Sequence, residues 1–232
     1  MKAVILAGGL GSRLKPFTDV IPKPLLPFGE KSLMEVQLEQ LKKNGFDEIY
    51  VALNYKADYI KSYFGDGSKY GVKVIYSLEN KPLGTCGPVK LLESDLTEPF
   101  LLMNGDILTK ANFKEIFDWS INYKESFLTI VTKNIITPFR FGNIISDGEY
   151  VKEIEEKPDL KFEILSGIYF LKPPVFKLIP NDEYFGIDQL IKKMLEQNLP
   201  VTKYSLKEYW IDIGMVEDYE KAREFYDEHF TV

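Results

Sequence analysis

The sequence predicts an α/β fold in which a mostly parallel sheet is flanked by helices and followed by a small antiparallel region. Short apolar runs typical of buried strands alternate with helical patterns, which indicates right-handed βαβ units. After residue 140, alternating apolar and polar residues around an Asp-Gly turn indicate a β-hairpin. The 232 residues, 45% hydrophobic and 28% charged, suffice for one buried core and predict a single domain over 1–232.

The composition argues against several kinds of site. A net charge of −6 disfavours a nucleic-acid partner. Cys86 is the sole cysteine, which excludes an intramolecular disulfide and a Cys-rich metal site. The sole histidine, His229, lies near the C-terminus, which disfavours histidine-based acid–base catalysis. A metal is therefore expected to be a hard cation held by oxygens. No signal peptide or membrane-length apolar run is visible, so we expect a cytoplasmic protein with no membrane partner.

The loop after the first predicted strand carries the main candidate site. Three glycines between positions 8 and 11 follow the apolar run 3–6. Because glycine has no Cβ, backbone N–H groups here can close around a bulky anion. Arg13, Lys15 and Lys23 then add positive charge against one aspartate in the same stretch. The pattern predicts a polyphosphate-binding loop.

Two known glycine motifs do not fit this loop. A dinucleotide fingerprint needs a third glycine at position 14, which is Leu14. A Walker A loop needs Gly-Lys-Ser/Thr, which occurs nowhere in the chain. Four prolines between positions 16 and 27 rule out a regular helix and predict a shaped, functional loop. A glycine turn without a ligand is the alternative, which the presence of Arg13 and Lys23 disfavours.

The remaining elements follow in βαβ order. Ser32 and Glu35 have the spacing of a capping box, which predicts a helix that Gly45 ends. Further strands are predicted at residues 48–53, 72–77, 100–103, 127–131, 164–171 and 201–205. Helices are predicted over residues 58–64, 89–93, 173–178, 187–197 and 216–230 and from about Asn112, and a hairpin over 141–154.

Two aspartates have surroundings that suit a metal ion. Asp106 follows strand 100–103 and Gly105, at the sheet edge where α/β folds bind ligands, which predicts an Mg²⁺ ligand. Its alternative role is to cap the next helix, for which Asn112 is better placed. Asp212 lies among apolar residues, where an unpaired carboxylate is costly. A metal or the amides of a helix start would relieve that cost, so both interpretations stay open.

Seven motifs follow one another along the chain: the glycine-rich loop, Pro22-Lys23-Pro24, Pro82-Leu83-Gly84-Thr85, Asn104-Gly105-Asp106, Glu156-Lys157-Pro158, Ser166-Gly167-Ile168-Tyr169 and Trp210-Ile211-Asp212-Ile213-Gly214. In this order they resemble the motifs of the sugar-1-phosphate nucleotidylyltransferases, and look most like guanylyltransferases for mannose-, heptose- or amino-sugar phosphates. The resemblance implies a Rossmann-like, GT-A-like fold with a nucleotide-binding part over about 1–135 and a sugar-binding part over about 136–232. It also implies a place in glycan-precursor synthesis.

The resemblance also implies how the base is recognised. In the family a Gly-Thr pair approaches the base, and a Gln or Glu three positions before the proline contacts its edge; Glu79 matches the latter. A carboxylate only accepts hydrogen bonds, and guanine offers two adjacent donors, so Glu79 favours GTP. Glu79 as a solvated turn residue is the alternative. The implied nucleotide-binding residues are Leu6, Ala7, Gly8, Gly9, Gly11, Ser12, Arg13, Lys23, Glu79, Gly84 and Thr85.

On the sugar side, the resemblance places Gly142 against the sugar, Glu156 on its hydroxyl groups and Lys157 on its phosphate. Asn104 and Ser166 complete the expected sugar-phosphate-binding set. Because the family pattern is not matched everywhere, the identity of the sugar stays open. The departures are Cys86, where relatives commonly have Ala or Gly, Ser166, where many have Asn, and Met215 in place of Thr.

The implied reaction joins a nucleoside monophosphate from a nucleoside triphosphate to a sugar-1-phosphate and releases pyrophosphate. The attacking phosphate is already ionised, so no general base is required. The reaction requires instead that two anions be screened and held in line. Arg13 would face the β- and γ-phosphates and Lys23 the α-phosphate, with Asp106 and Asp212 holding Mg²⁺. These four are the expected catalytic residues.

Three other functions stay open. A cytidylyl-, uridylyl- or thymidylyltransferase of the same fold is the nearest competitor. A nucleotide-sugar sensor without activity would be expected to lose Arg13, Lys23 or an aspartate, and all are present. A glycosyltransferase with a similar sheet would have Asp-x-Asp where Asn104-Gly105-Asp106 stands. A homo-oligomer also stays open.

Overall fold

A seven-stranded sheet forms the centre of the computed structural model, which describes residues 1–230. The strands in these residues are β1 (Lys2–Leu6), β2 (Pro27–Phe28), β3 (Lys31–Ser32), β4 (Glu48–Leu53), β5 (Lys73–Leu78), β6 (Phe100–Asn104), β7 (Ile107–Thr109), β8 (Leu128–Pro138), β9 (Asn143–Asp147), β10 (Tyr150–Glu155), β11 (Asp159–Leu171), β12 (Val201–Ser205) and β13 (Trp210–Asp212). The α-helices are α1 (Phe17–Val20), α2 (Leu33–Lys43), α3 (Ala57–Phe64), α4 (Gly87–Lys90), α5 (Phe113–Ile121), α6 (Ile187–Glu196) and α7 (Val216–His229). Short 3₁₀ turns cover Ser12–Leu14, Lys23–Leu25, Ser68–Tyr70 and Pro173–Lys177.

The sheet is mixed but mostly parallel, in the order β12-β8-β11-β6-β1-β4-β5. Strand β1 pairs in parallel with β4 and β6, β4 with β5, and β12 with β8. Only β11, among the described strands of this sheet, runs antiparallel to its neighbours, β6 and β8. The predicted α/β fold is therefore confirmed. The carboxyl ends of β1, β4 and β6 share one edge of the sheet.

Two apolar layers cover the faces of the sheet. Successive side chains of a strand point to opposite faces, and Val4 and Ile5 of β1 accordingly belong to different clusters. The Ile5 face packs on Leu38 of α2, and the Val4 face packs on Leu190 of α6. This sandwich of helices around a sheet buries both faces, as parallel strands require. These packed layers hold in place the loops that follow the carboxyl ends of the strands.

A third apolar cluster joins the opening loop to the end of the chain. Leu14, Leu26 and Phe28 pack with Ile213 and Tyr219 from the closing segment. Tyr219 also donates a hydrogen bond from its hydroxyl to the carbonyl of Pro27 at 2.6 Å. The opening loop and the closing segment of the described chain therefore pack against each other.

Strands β8 and β11 extend beyond the sheet as a two-stranded ribbon that ends in the hairpin of β9 and β10. The predicted hairpin over 141–154 is confirmed. Strand β8 runs seven residues past the predicted end at 131, because its pairing with β11 continues to Pro138. Polar and apolar side chains along this ribbon are exposed to solvent.

Local patterns predicted most helices, but Pro173–Lys177 form a 3₁₀ turn where a helix was predicted over 173–178, and α4 covers Gly87–Lys90 instead of 89–93. Ser32 and Glu35 form the predicted capping box at the start of α2, and Gly45 follows its end with a φ of +82°. The opening loop differs from prediction, because residues Phe17–Val20 form one helical turn. Pro16 precedes this turn, where no backbone N–H is needed, so the prolines bound a short helix instead of excluding one. None of the helices within residues 1–230 is long and apolar enough to cross a membrane.

Candidate functional site

A cavity of about 210 Å³ opens where the loop after β1 meets the ends of β6 and β13. Its wall combines backbone from the glycine-rich loop with charged side chains. Two of the segments that line it follow the parallel strands β1 and β6, which is the expected position of a ligand crevice in an α/β sheet. The predicted residues that line it are Leu6, Ala7, Gly9, Gly11, Ser12, Arg13, Lys23 and Asp106.

A short antiparallel strand pair brings the two predicted aspartates together. In the pairing of β7 with β13, Asp212 lies opposite Ile107, the residue after Asp106. The backbone N–H of Ile213 donates to the carbonyl of Asp106 at 2.9 Å. Asp106 and Asp212, far apart in sequence, are therefore neighbours. Asp106 lines the cavity, whereas Asp212 is not among the residues of either cavity wall.

Glycine at position 105 allows Asp106 to approach β1 closely. The N–H of Gly105 donates to the carbonyl of Leu6 at 2.9 Å. A Cβ at position 105 would lie 2.6 Å from that carbonyl oxygen, closer than real Cβ contacts come. Any larger residue would push the Asp106 loop away from the glycine-rich loop.

The charges at the cavity are only partly compensated. The Lys23 ammonium lies 2.7 Å from Oδ2 of Asp106. The Oδ1 atoms of Asp106 and Asp212 are buried and have no hydrogen-bond partner among residues 1–230. Burial raises the pKa of Asp212 and the nearby Asp106 charge raises it further, while Lys23 and Arg13 act in the opposite direction. Buried carboxylate oxygens without a donor need an explanation, and a hard cation supplies one.

The donor set fits Mg²⁺ that is shared with a substrate. Within the described residues, no group of three or more His, Cys, Asp or Glu side chains is arranged to hold a metal. Mg²⁺ is usually bound by one or two carboxylates together with substrate phosphates, without a complete protein cage. Asp106 and Asp212 match that number of ligands.

Arg13 is held at the rim of the cavity by its neighbours in the chain. It lies in the 3₁₀ turn Ser12–Leu14, and Leu14 anchors that turn with only 1% of its surface exposed. Gly11 precedes the turn with a φ of +61°, a conformation that favours glycine. A Cβ at Gly214 would lie 3.4 Å from Arg13 Nη1, so the closing segment leaves just enough room for the guanidinium.

A second cavity, of about 610 Å³, adjoins the first and shares Leu6, Gly9 and Asp106 with it. Glu79 lies in its wall, and Oε2 of Glu79 accepts from the N–H of Leu83 at 3.1 Å. Burial raises the pKa of Glu79, and the Leu83 hydrogen bond partly offsets this. The predicted residues in this wall are Leu6, Gly8, Gly9, Glu79, Gly84, Thr85, Asn104 and Asp106.

The Gly84-Thr85 segment is locked to the start of α6. The Thr85 hydroxyl oxygen accepts from the N–H of Ile187 at 2.6 Å. Gly84 has a φ of +80°, and a Cβ there would lie 2.8 Å from the Phe185 carbonyl oxygen. The predicted pair therefore lies in the cavity wall, with the Thr85 oxygen engaged by the protein.

Three of the predicted sugar-phosphate-binding residues lie together between the outer end of the ribbon and the hairpin, and none of them lines either cavity. A Cβ at Gly142 would lie 3.1 Å from Oε2 of Glu156, and the Lys157 ammonium lies 3.8 Å from Glu156 Oε1. Both charged side chains are exposed. Ser166 is elsewhere: it is fully buried, and its hydroxyl donates to the carbonyl of Val131 at 2.9 Å. The structure thus leaves the Ser166 hydroxyl no direct access to either cavity.

Asn104 links the second cavity to the strand that carries Ser166. Gly167 has a φ of +72°, and a Cβ there would lie 2.7 Å from Nδ2 of Asn104. The Oδ1 atom of Asn104 is buried and has no hydrogen-bond partner in the described part of the chain. Its unpaired oxygen and its position in the wall suit contact with a ligand.

Asn54 and Tyr184 line the second cavity and were not predicted, and neither was Lys56, which lies beside the site without lining a cavity. Tyr184 lines the second cavity with a side chain that is 66% exposed. It is positioned by its neighbour Phe185, whose N–H donates to the Leu83 carbonyl at 2.9 Å. Lys56 contacts the opening loop from α3. Neither Tyr184 nor Lys56 belongs to a sequence motif, because both reach the site through contacts between distant loops.

The chain is similar to known proteins over nearly its whole length. Residues 2–229 match the family described as nucleotidyl transferase. A UTP–glucose-1-phosphate uridylyltransferase from Synechocystis is 33% identical over 96% of this chain and 62% of its own length. A mannose-1-phosphate guanyltransferase from Debaryomyces hansenii is 34% identical over 94% of this chain and 62% of its own. The chain therefore spans about 62% of the length of these relatives.

A solved structure resembles the chain over nearly its whole length. HddC from Yersinia pseudotuberculosis, complexed with GMP-PN, has a TM-score of 0.75 and 32% sequence identity. The match covers 97% of this chain and 99% of that chain.

Proposed function

The chain belongs to the nucleotidyl transferase family, and we propose that it transfers a nucleoside monophosphate from a nucleoside triphosphate to a sugar-1-phosphate, releasing pyrophosphate. The observation that carries the proposal is the meeting of Arg13, Lys23 and Asp106 at one cavity, with Asp212 next to Asp106 through the pairing of β7 and β13. The relatives that act on glucose-1-phosphate and mannose-1-phosphate support the same reaction class.

The side chains at the cavity suit a reaction between two anions. A sugar phosphate is ionised near neutral pH, so its oxygen can attack the α-phosphorus without a general base. The protein has to bring the two anions together and stabilise the leaving pyrophosphate. Arg13 is proposed to hold the β- and γ-phosphates with its planar fork, and Lys23 to hold the α-phosphate.

We propose Mg²⁺ as the cofactor, held by Asp106 and Asp212. Their unpaired buried oxygens and the small number of protein ligands support this assignment. When bound, the ion supplies charge screening between the phosphates. Lys23, which already pairs with Asp106, keeps one of the two carboxylates oriented towards the cavity.

The proposed nucleotide is GTP, with its base in the second cavity. The support comes from Glu79, whose carboxylate can accept from N1–H and the 2-amino group of guanine. The guanyltransferase relatives and the GMP-PN complex of HddC are consistent with this choice. The uridylyltransferase relative makes a uridylyltransferase the competing function.

The ribbon is the proposed sugar-binding part. Gly142, Glu156 and Lys157 lie together between the outer end of the ribbon and the hairpin of β9 and β10, which supports a division between a nucleotide-binding part over about 1–135 and a sugar-binding part over about 136–232. Lys157 is proposed to hold the sugar phosphate. A place in glycan-precursor synthesis in the cytoplasm is proposed on the same family grounds.

The deciding experiment is a matrix of four nucleoside triphosphates against several sugar-1-phosphates, with Mg²⁺, read by pyrophosphate release. The expected result is turnover with GTP and at least one mannose-, heptose- or amino-sugar phosphate. Turnover with UTP and glucose-1-phosphate alone would establish the competing function. No turnover in any combination, with nucleotide binding intact, would favour a sensor.

Glu79→Gln tests the choice of base. The amide presents an N–H₂ group where guanine also donates, so kcat/KM for GTP is expected to fall at least tenfold. The value for UTP should change less than threefold, since uracil lacks the 2-amino group. The measurement is the ratio of kcat/KM for the two nucleotides. Glu149→Gln, on the turn of the hairpin, is the matched control. An unchanged ratio would remove Glu79 from base selection.

Tyr184→Ala tests whether the exposed ring in the second cavity stacks on the base. Stacking of an aromatic side chain on a base contributes about 1–3 kcal/mol, so KM for the nucleotide is expected to rise about tenfold. Tyr184→Phe keeps the ring and should retain the original KM. Steady-state kinetics should show the same KM for the sugar phosphate in all three proteins. A change in the sugar-phosphate KM alone would place Tyr184 on the other substrate.

A further inference from the structure

Lys56 reaches from α3 to the opening loop. Its ammonium donates hydrogen bonds to three consecutive carbonyls at the end of α1, those of Thr18 at 3.4 Å, Asp19 at 2.7 Å and Val20 at 3.1 Å. Lys56 is half-buried and precedes α3 with a φ of +52°. A non-glycine residue in this conformation is uncommon and is retained where surrounding contacts determine it.

The turn that Lys56 holds is joined directly to the segment that carries Arg13. Thr18 is 2% exposed, and its hydroxyl donates to the Gly11 carbonyl at 2.7 Å. That same carbonyl accepts from the N–H of Leu14 at 2.9 Å. Residues 11–14 and α1 are therefore one unit, so a change in the position of α1 moves Arg13.

The contact is favourable on electrostatic grounds. The last carbonyls of a helical turn have no partner within the turn and carry partial negative charge. A lysine ammonium satisfies them and is attracted to them, and it has three donors for three acceptors. The ion pair between Lys15 and Asp19, also on this turn, is exposed at both ends and contributes little.

We propose that Lys56 is a positioning residue that clamps α1 and so fixes the opening loop in the arrangement that presents Arg13 to the triphosphate. The last step rests on the proposed function, whereas the clamp itself does not. Without the clamp, the loop samples other conformations, and nucleotide binding has to order it. Apparent affinity then falls in proportion to the competent fraction.

The clamp is tested without any substrate by limited trypsin digestion. The bond after Arg13 is protected in the folded protein because Leu14 is buried. In Lys56→Met, the release of peptide 1–13, followed by mass spectrometry, is expected to be about tenfold faster. Lys56→Arg, which can donate to the same carbonyls, and Lys61→Met, on the same helix, should stay within about twofold of the original rate. Equal rates in Lys56→Met and Lys61→Met would overturn the clamp.

Kinetics then test the consequence for Arg13. Lys56→Met is expected to raise KM for the nucleotide about tenfold, while kcat changes less than threefold, because bound nucleotide restores the loop. The KM for the sugar phosphate should not change, and Lys56→Arg should restore the nucleotide KM. A fall in kcat at constant KM, parallel to a loss of folded protein in thermal melting, would instead assign Lys56 a general structural role.

A second variant tests the clamp independently, in case Lys56→Met does not fold. Thr18→Val removes the hydroxyl bond to Gly11 from the other side of the same unit and keeps the side-chain volume. It should give the same faster cleavage after Arg13 as Lys56→Met. If the digestion results hold but no variant turns over any substrate, the clamp stands and the proposed function fails. If the protein turns over substrate but digestion is unchanged in both variants, the clamp is wrong and the proposed function stands.

Discussion

Arg13→Ala is expected to lower kcat by two or more powers of ten. The guanidinium lies at the rim of the small cavity and is proposed to hold the β- and γ-phosphates, where negative charge grows as pyrophosphate leaves. A loss of this size corresponds to roughly 3 kcal/mol of transition-state stabilisation. The measurement is pyrophosphate release at saturating nucleotide and sugar phosphate, so that weaker binding does not enter the comparison.

One further variant separates the charge of Arg13 from its shape, and another serves as a control. Arg13→Lys keeps the charge but loses the planar fork, and is expected to recover only part of the rate. Arg223→Ala is the matched control, since Arg223 lies on α7 with its guanidinium 5.8 Å from the centre of the Tyr219 ring. It should keep full turnover. Near-normal turnover of Arg13→Ala would remove Arg13 from the proposed role.

The parts of the fold that follow local rules were predictable from sequence. The apolar run of β1, the capping box at Ser32 and Glu35, and the Asp-Gly hairpin each depend on neighbouring residues. The two candidate metal ligands were also predictable. Asp106 follows a buried strand at the sheet edge. Asp212 lies among apolar residues, where burying an unpaired carboxylate costs free energy.

Features that depend on distant contacts were not predictable. Strands β7 and β13 have three residues each, too short for a periodic pattern, and they form only because each pairs with the other. Tyr184 enters the second cavity because Phe185 is bonded to Leu83, and Lys56 meets the carbonyls of α1 across the chain. The Ser166 hydroxyl bonds to Val131 inside the sheet, a contact for which the sequence motif gives no indication.

Asp106→Asn and Asp212→Asn are each expected to raise the Mg²⁺ concentration that gives half-maximal activity at least tenfold. The amide keeps the shape but loses the negative charge that a hard cation requires. The measurement is a Mg²⁺ titration of pyrophosphate release at fixed substrates. Asp218→Asn is the matched control, because Asp218 is near enough to raise the pKa of Asp212 but makes its own bond to the N–H of Met215. An unchanged Mg²⁺ dependence in both aspartate variants would refute the metal site.

Thermal melting without Mg²⁺ distinguishes the two aspartates from each other. Burial and the nearby Asp106 charge raise the pKa of Asp212, which means that the folded state disfavours the ionised form at neutral pH. Removing that charge in Asp212→Asn is therefore expected to leave the melting temperature unchanged or raise it while activity falls, the pattern of a residue retained for function. Asp106→Asn instead loses its ion pair with the largely buried Lys23 and is expected to cost about 1–3 kcal/mol of unfolding free energy. A clear loss of stability in Asp212→Asn would mean that the carboxylate has a partner in the folded protein and would weaken its assignment as a metal ligand.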